Sequence, residues 1–81
     1  MNKEIIFHPY AVYKMEKRGI TEVEVMQAIN EPNSIAAGKS GRRIAQRIFG
    51  KHLLRVVFEE YQDHILVITA YPAKPERYLR R

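Results

Sequence analysis

The sequence predicts an α+β domain in which two N-terminal helices pack on one face of a small antiparallel β-sheet. Three observations predict it. Apolar residues recur at helical spacing between Pro9 and Glu31, the period changes to alternation after Pro32, and turn residues divide the later chain into short strands. With 81 residues and no cysteine, we expect a single domain over residues 1–81, without disulfides or thiolate metal sites.

The first elements have clear boundary signals. The segment from Glu4 to Phe7 is predicted to be a short strand. A helix over Pro9–Arg18 should follow, because proline suits the first helical turn and Gly19 suits a left-handed C-terminal cap.

The second helix is predicted over Glu22–Glu31. Thr21 and Glu24 have the spacing of a capping box, in which each side chain bonds the other residue's free backbone N–H. Pro32 should end the helix. The apolar residues expected to be largely buried between helices and sheet are Val12, Met15, Val25, Met26, Ile29, Leu54, Val56 and Phe58.

The remaining chain is predicted to be a meander of strands. A weak strand is expected at Ser34–Lys39, and three stronger ones at Arg42–Phe49, Leu53–Glu60 and His64–Tyr71. Pro72 and Pro75 should end the last strand and leave residues 72–81 as a basic C-terminal tail.

Positive charge is concentrated in two stretches of the chain, of which the first contains no acid. Ten of the 14 lysines and arginines lie in them: Lys39, Arg42, Arg43, Arg47, Lys51 and Arg55, then Lys74, Arg77, Arg80 and Arg81. With a net charge of +5, this indicates a polyanion-binding face, although charge alone does not distinguish RNA, DNA, an acidic protein and a membrane surface. The alternative is a solvated basic face without a ligand.

Individual side chains suggest a phosphate site. Arg43, Arg47 and Arg55 alternate along adjacent strands, so we expect their guanidiniums to converge on one surface, unless they pair with Glu59 or Glu60 instead. Tyr71, and Tyr78 from the tail, could stack on a base or donate a proton.

The three histidines lie in different predicted elements. No metal-binding spacing joins them, so neither a metal nor another cofactor is expected. His8 remains a candidate general base. Since no apolar run has the length of a signal peptide or a membrane span, we expect a cytoplasmic protein without membrane contact.

The chain resembles a family of small bacterial and archaeal domains of unknown function. The resemblance rests on His8, Lys14 to Thr21 (KMEKRGIT), Val25, Glu31-Pro32, Gly41 to Arg43, Leu53 to Val57 (LLRVV) and Val67 to Pro72 (VITAYP). More distantly, the layout and the Lys-Arg-Gly-Ile segment resemble BrnT toxins of the RelE/ParE superfamily.

That resemblance implies a RelE-like fold and a metal-independent endoribonuclease, the mRNA interferase-type toxin of a toxin–antitoxin pair, which cleaves RNA by 2′-hydroxyl attack. The implied partners are RNA, ribosome-bound mRNA included, and an acidic antitoxin. The alternative is a non-catalytic module that binds RNA or an antitoxin. The candidate catalytic residues are Arg47, Arg55, Tyr71 and His8. The candidate RNA-binding residues are Arg42, Arg43, Lys51, Lys74, Arg77 and Tyr78.

Overall fold

A five-stranded sheet forms the centre of the structure, a computed structural model that describes residues 3–79. Its strands are β1 (Glu4–Phe7), β2 (Ser34–Ala37), β3 (Arg43–Phe49), β4 (His52–Glu60) and β5 (His64–Ala73), in the order β1-β5-β4-β3-β2. The α+β class is confirmed. The sheet is mixed rather than antiparallel, because β1 pairs with β5 in parallel. Parallel pairing requires a long crossover, and both helices and three strands separate β1 from β5.

Two helices follow β1 and cover one face of the sheet. Helix α1 (Pro9–Arg18) ends at Gly19, whose φ of 68° is left-handed, and helix α2 (Glu22–Asn30) begins with the predicted capping box. Helix α2 ends at Asn30, one residue before the predicted end at Glu31, which is its C-cap. Helix α1 packs on β5, and α2 packs on β3 and β4. No helix within residues 3–79 has the length and apolarity needed to cross a bilayer.

The core lies between the helices and the face of the sheet that includes Leu54, Val56 and Phe58, which we call the helix face. Two of the expected core residues are instead exposed, since Val12 retains 37% and Met26 41% of its accessible surface. The buried positions of α1 are Ala11 and Met15, and those of α2 are Val25, Ala28 and Ile29. Met15, Val25 and Ile29 are buried as expected, whereas the small residues Ala11 and Ala28 face the sheet in place of Val12 and Met26.

The last strand continues through Pro72 to Ala73, so the prediction that Pro72 ends it was wrong. β1 pairs only with His64–Val67, and the later part of β5 has a free edge on that side. The carbonyl oxygen of Ala70 lies on this edge, where it accepts a hydrogen bond from Arg18 Nη1 (2.8 Å). Because backbone groups two residues apart point to the same side of a strand, the missing N–H of Pro72 faces the same free edge.

Beyond β5, the chain forms one helical turn, α3 (Pro75–Tyr78). The predicted basic tail is thus a strand end and a helical turn as far as Leu79, and Arg80 and Arg81 lie outside the described residues.

A register shift in β4–β5 decides which side chains of β5 face the helices. Val57 pairs with Thr69, but the next residue, Phe58, pairs with Val67, so that one residue of β5 is unpaired. This bulge lets Ile65 and Val67 lie on the helix face before it and Ala70 and Pro72 after it. Tyr71 consequently points to the opposite face of the sheet.

We expect Ile65→Ala to destabilise the fold by about 2–5 kcal/mol, because Ile65 is 1% exposed within the core and its truncation leaves a cavity. Ile35→Ala is the matched control, since Ile35 lies on an edge strand and is 40% exposed. Urea denaturation followed by circular dichroism measures both free energies of unfolding. Equal losses in the two variants would contradict this location of the core.

Candidate nucleic-acid interface

Four polar side chains form a hydrogen-bonded row across the sheet face opposite the helices, which we call the distal face. Strand register aligns them, because Ser34 pairs with Gln46, Gln46 with Arg55, and Arg55 with Tyr71. Gln46 Nε2 donates to Ser34 Oγ (2.8 Å), and Arg55 Nε donates to Gln46 Oε1 (2.8 Å). Arg55 Nη1 donates to the Tyr71 hydroxyl (2.5 Å). The row thus spans β2, β3, β4 and β5.

Arg55 is buried without a counter-ion. It is 8% exposed, and within residues 3–79 no carboxylate forms a salt bridge with it. A buried charge is costly unless it is paired, and neutral acceptors compensate only part of that cost. The Gln46 and Tyr71 bonds use two of the five guanidinium N–H groups, so donors remain for a ligand. An anion bound at this position would supply the missing charge.

Two tyrosines flank the Arg55 guanidinium. Its central carbon lies 3.7 Å from the ring centroid of Tyr78 and 5.5 Å from that of Tyr71. Tyr78 lies in helix α3, which begins at Pro75 just after β5 and places the Tyr78 ring beside Arg55. Tyr78 stacks on the guanidinium and itself remains exposed. The result is a buried arginine with the Tyr78 ring against its guanidinium and the Tyr71 hydroxyl bonded to it.

A cleft of about 910 Å³ is lined by Tyr71 and Tyr78, the two tyrosines that flank Arg55, although Arg55 itself does not line it. Its lining also includes Lys51, His52, Lys74 and Arg77, and Glu76 is the one acidic residue that lines it among residues 3–79. The cleft therefore joins aromatic rings to a mainly basic rim, which is the combination used to bind single-stranded nucleic acid.

Two other predicted RNA-binding residues pair with acids. Arg42 Nε lies 2.9 Å from Glu59 Oε2, and Arg43 Nη1 lies 3.0 Å from Glu60 Oε1. Lys3 approaches the same Glu60 at 2.9 Å. These pairs join the beginning of β3 to the end of β4, so their cations are already partly neutralised.

The predicted convergence of Arg43, Arg47 and Arg55 was wrong. Arg43 and Arg47 pair with Phe58 and Leu54, which places them on the helix face, whereas Arg55 lies on the distal face. Alternation shows which residues of one strand share a face. Whether residues of two different strands share a face is known only once the register between those strands is known.

Arg47 has a structural role in this arrangement. Its Nη1 donates to the backbone carbonyl of Glu31 (2.6 Å) and so caps the C-terminus of α2, and its guanidinium lies over the Phe49 ring. Its Nε is buried and has no hydrogen-bond partner within residues 3–79. The cap explains why this arginine is held on the helix face.

His8 caps α1. Its Nδ1 accepts a hydrogen bond from the Tyr10 backbone N–H (3.0 Å), so a neutral His8 carries its proton on Nε2. No hydrogen bond links His8 to Arg55 or Tyr71 among the described residues. Across residues 3–79, histidines and acids form no group of three or more with the spacing of a metal site.

Gln46 and Ser34 are parts of the row that the sequence prediction missed. Gln46 is the one uncharged polar residue of the segment from Arg43 to Phe49, and a polar amide requires hydrogen-bond partners when it is buried. That signal was present, but its partner could be identified only once the register was known.

Together, the fold and the row define a small α+β domain with a tyrosine-flanked arginine beside a basic cleft. The sequence model of DUF4258, a domain of unknown function, matches residues 8–72. The chain therefore belongs to the DUF4258 family. The matched segment contains Ser34, Gln46, Arg55 and Tyr71, and it ends before Tyr78. Comparison with curated proteins and with solved structures gave no match.

The acids at the end of β4 ionise more readily than usual. A hydrogen bond from the Tyr61 hydroxyl, and then one from Arg42, lower the pKa of Glu59 below its ordinary 4.5. Lys3 first, and then Arg43, lower the pKa of Glu60. Conversely, the hydrogen bond to Glu59 raises the pKa of Tyr61 above 10.0.

A carboxyl group with a lowered pKa stabilises the fold above its ordinary pKa, and this contribution is lost as pH falls through the lowered value. We therefore expect Glu59→Gln and Glu60→Gln each to reduce the difference in free energy of unfolding between pH 7 and pH 3. Urea denaturation at both pH values measures that difference. The control is the exposed Glu16→Gln, which should retain the wild-type difference. A reduction as large in the control would contradict the assigned pairs.

Proposed function

We propose that this domain is a metal-independent endoribonuclease that uses Arg55 and Tyr71 to cleave single-stranded RNA. The observation that supports it most directly is the buried Arg55 guanidinium, which has no counter-ion within residues 3–79 and bonds the Tyr71 hydroxyl beside a basic cleft. In this proposal, an RNA phosphate takes the place of the absent counter-ion.

Arg55 would bind and activate the phosphate. Its free N–H groups can contact two non-bridging oxygens, and its planar fork matches their geometry. During attack, negative charge grows on these oxygens. A donor fixed in advance then stabilises the phosphorane more than the ground state, and this difference accelerates the reaction.

Tyr71 would protonate the leaving group. Its oxygen accepts the bond from Arg55, so its own O–H remains available to donate. The 2′-oxygen forms a bond to phosphorus, the bond to the 5′-oxygen breaks, and that oxygen takes the tyrosine proton. The products are a 2′,3′-cyclic phosphate and a free 5′-hydroxyl. In this scheme, a base accepts the proton of the 2′-hydroxyl.

His52 is the better placed candidate for that base, because it lines the cleft whereas His8 caps α1. Lys51, Lys74 and Arg77 would hold neighbouring phosphates, and Tyr78 would stack on a base. The toxin role, with an acidic antitoxin that covers this basic surface, is part of the proposal through the resemblance to BrnT and RelE/ParE toxins.

A second candidate function is RNA binding without cleavage. One observation favours it: among residues 3–79, no histidine or carboxylate hydrogen-bonds to Arg55 or Tyr71, so no general base is in contact with the pair. The binding surface would be the same in both cases, and only a test of chemistry separates them.

We expect purified protein, free of any partner, to cleave single-stranded RNA in excess EDTA and to leave a substrate with 2′-deoxyribose at the cleavage site intact. Arg55→Ala should reduce kcat by about 10²–10³-fold, and Tyr71→Phe by a comparable factor if the phenol is the acid. Arg55→Lys retains the charge but loses the planar fork, so its kcat should lie between that of wild type and that of Arg55→Ala. Gel analysis of end-labelled RNA gives the rates.

The matched control for these variants is Arg43→Ala, which removes an arginine that pairs with Glu60 on the helix face and should leave cleavage nearly unchanged. Circular dichroism should show that each variant is folded. If folded wild-type protein leaves both free RNA and ribosome-bound mRNA intact but still binds RNA, the nuclease proposal fails and the second candidate function replaces it.

Binding should weaken as salt rises. Lys51→Ala, Lys74→Ala and Arg77→Ala should each reduce the slope of log Kobs against log salt by about 0.7, because each removes one contact to a single-strand phosphate. Arg42→Ala should change the slope less, since Glu59 already neutralises Arg42. Fluorescence anisotropy with a labelled oligonucleotide gives the slopes. Equal changes in all four variants would contradict the assigned surface.

A further inference from the structure

Gln46 is the one uncharged polar residue that is buried in the described part of the chain. It is 3% exposed and lies in the middle of β3, opposite Ser34 of β2 and Arg55 of β4. Burial of an unsatisfied amide is costly, but both ends of this amide are bonded, one to Ser34 and the other to Arg55.

The partners fix the orientation of the Gln46 amide. Arg55 Nε carries a proton and can only donate, so the Gln46 group that faces it must be the carbonyl oxygen Oε1. The NH₂ group then faces Ser34 Oγ, which accepts. One rotamer of Gln46 therefore holds one rotamer of Arg55, and the far end of Arg55 reaches Tyr71.

We infer that Gln46 is a positioning residue that fixes the Arg55 guanidinium for a phosphate ligand while leaving its positive charge uncompensated. This inference deepens the proposed function and rests on it for the identity of the natural ligand, an RNA phosphodiester. A neutral acceptor orients the arginine as a carboxylate would, but it adds no negative charge to compete with the phosphate.

Glutamate is the informative replacement. It has the same length and shape as glutamine, and one carboxylate oxygen can accept from Arg55 Nε as Oε1 does. The other can accept from Ser34, because a hydroxyl group donates as readily as it accepts. Gln46→Glu should therefore retain the geometry of the row and neutralise Arg55. Ligand affinity should then fall while fold stability is retained or increased, which a purely structural role for Gln46 does not predict.

The experiment titrates inorganic phosphate into the 15N-labelled protein and follows the Nε–Hε signal of Arg55 by NMR. We expect a saturable shift in wild type and a roughly tenfold to hundredfold weaker affinity in Gln46→Glu, because a negative charge then lies within a few ångströms of the bound phosphate. The melting temperature of Gln46→Glu should equal or exceed that of wild type. Gln62→Glu is the control, since it makes the same charge change at an exposed turn and should bind phosphate as wild type does.

A second variant, Gln46→Leu, separates orientation from charge. It frees Arg55 from its acceptor but leaves the charge, so the phosphate affinity should change less than in Gln46→Glu, whereas kcat for RNA cleavage should fall with KM nearly unchanged. If Gln46→Glu does not fold, Gln46→Leu decides: an unchanged kcat would overturn the positioning role.

The failure of this inference differs from that of the proposed function. Equal phosphate affinities in wild type and Gln46→Glu, or no shift of the Arg55 signal in wild type, would overturn the inference even if RNA is cleaved. A phosphate response that disappears in Gln46→Glu would support it even if the wild-type protein leaves RNA intact, and then the nuclease proposal alone would fail.

Discussion

The register shift between Val57 and Phe58 is the constraint on which the site depends. Side chains alternate strictly along a regular strand, so a β5 without the bulge and with Ile65 and Val67 in the core would also turn Tyr71 towards the helices. The bulge changes this alternation once, within the strand. As a result, Ile65 and Val67 pack in the core at one end of β5, and the Tyr71 hydroxyl reaches Arg55 at the other end. Core packing and site geometry are thus specified by the same local irregularity.

Two groups of basic side chains result from this arrangement. Arg42, Arg43 and Lys3 pair with acids at the end of β4. Solvent screens exposed pairs of this kind, so their value lies more in orientation than in stability. Arg55 differs because its partners are neutral. The number of clustered basic residues in a sequence therefore does not measure the positive charge available to a ligand. That charge depends on which of the basic side chains form ion pairs with acidic side chains.

The predictable parts of the fold are those with local causes. A capping box and a left-handed glycine determine where the helices begin and end, and both signals are contiguous in sequence. The failures have non-local causes. Pro72 was expected to end β5, but its missing N–H is harmless because β1 is too short to pair there. The face of Arg47 depends on pairing with Leu54, which no local pattern specifies. Likewise, no local pattern specifies the bulge in β5, which places Val67 on the helix face and Tyr71 on the distal face of the same strand. The site depends on that bulge.

The position of Tyr78 limits how a ligand can approach. Its ring lies 3.7 Å from the guanidinium carbon, so one planar face of Arg55 is already covered, and a base cannot stack there. The edge that carries the remaining N–H groups is the part of Arg55 suited to a phosphate, and bases would then stack on the tyrosine rings that line the cleft. On the proposed function, a site of this shape would hold the RNA backbone by its phosphate, and the bases would be bound by stacking. Sequence preference should therefore be modest, because every base has a π-face and stacking on tyrosine discriminates little between bases.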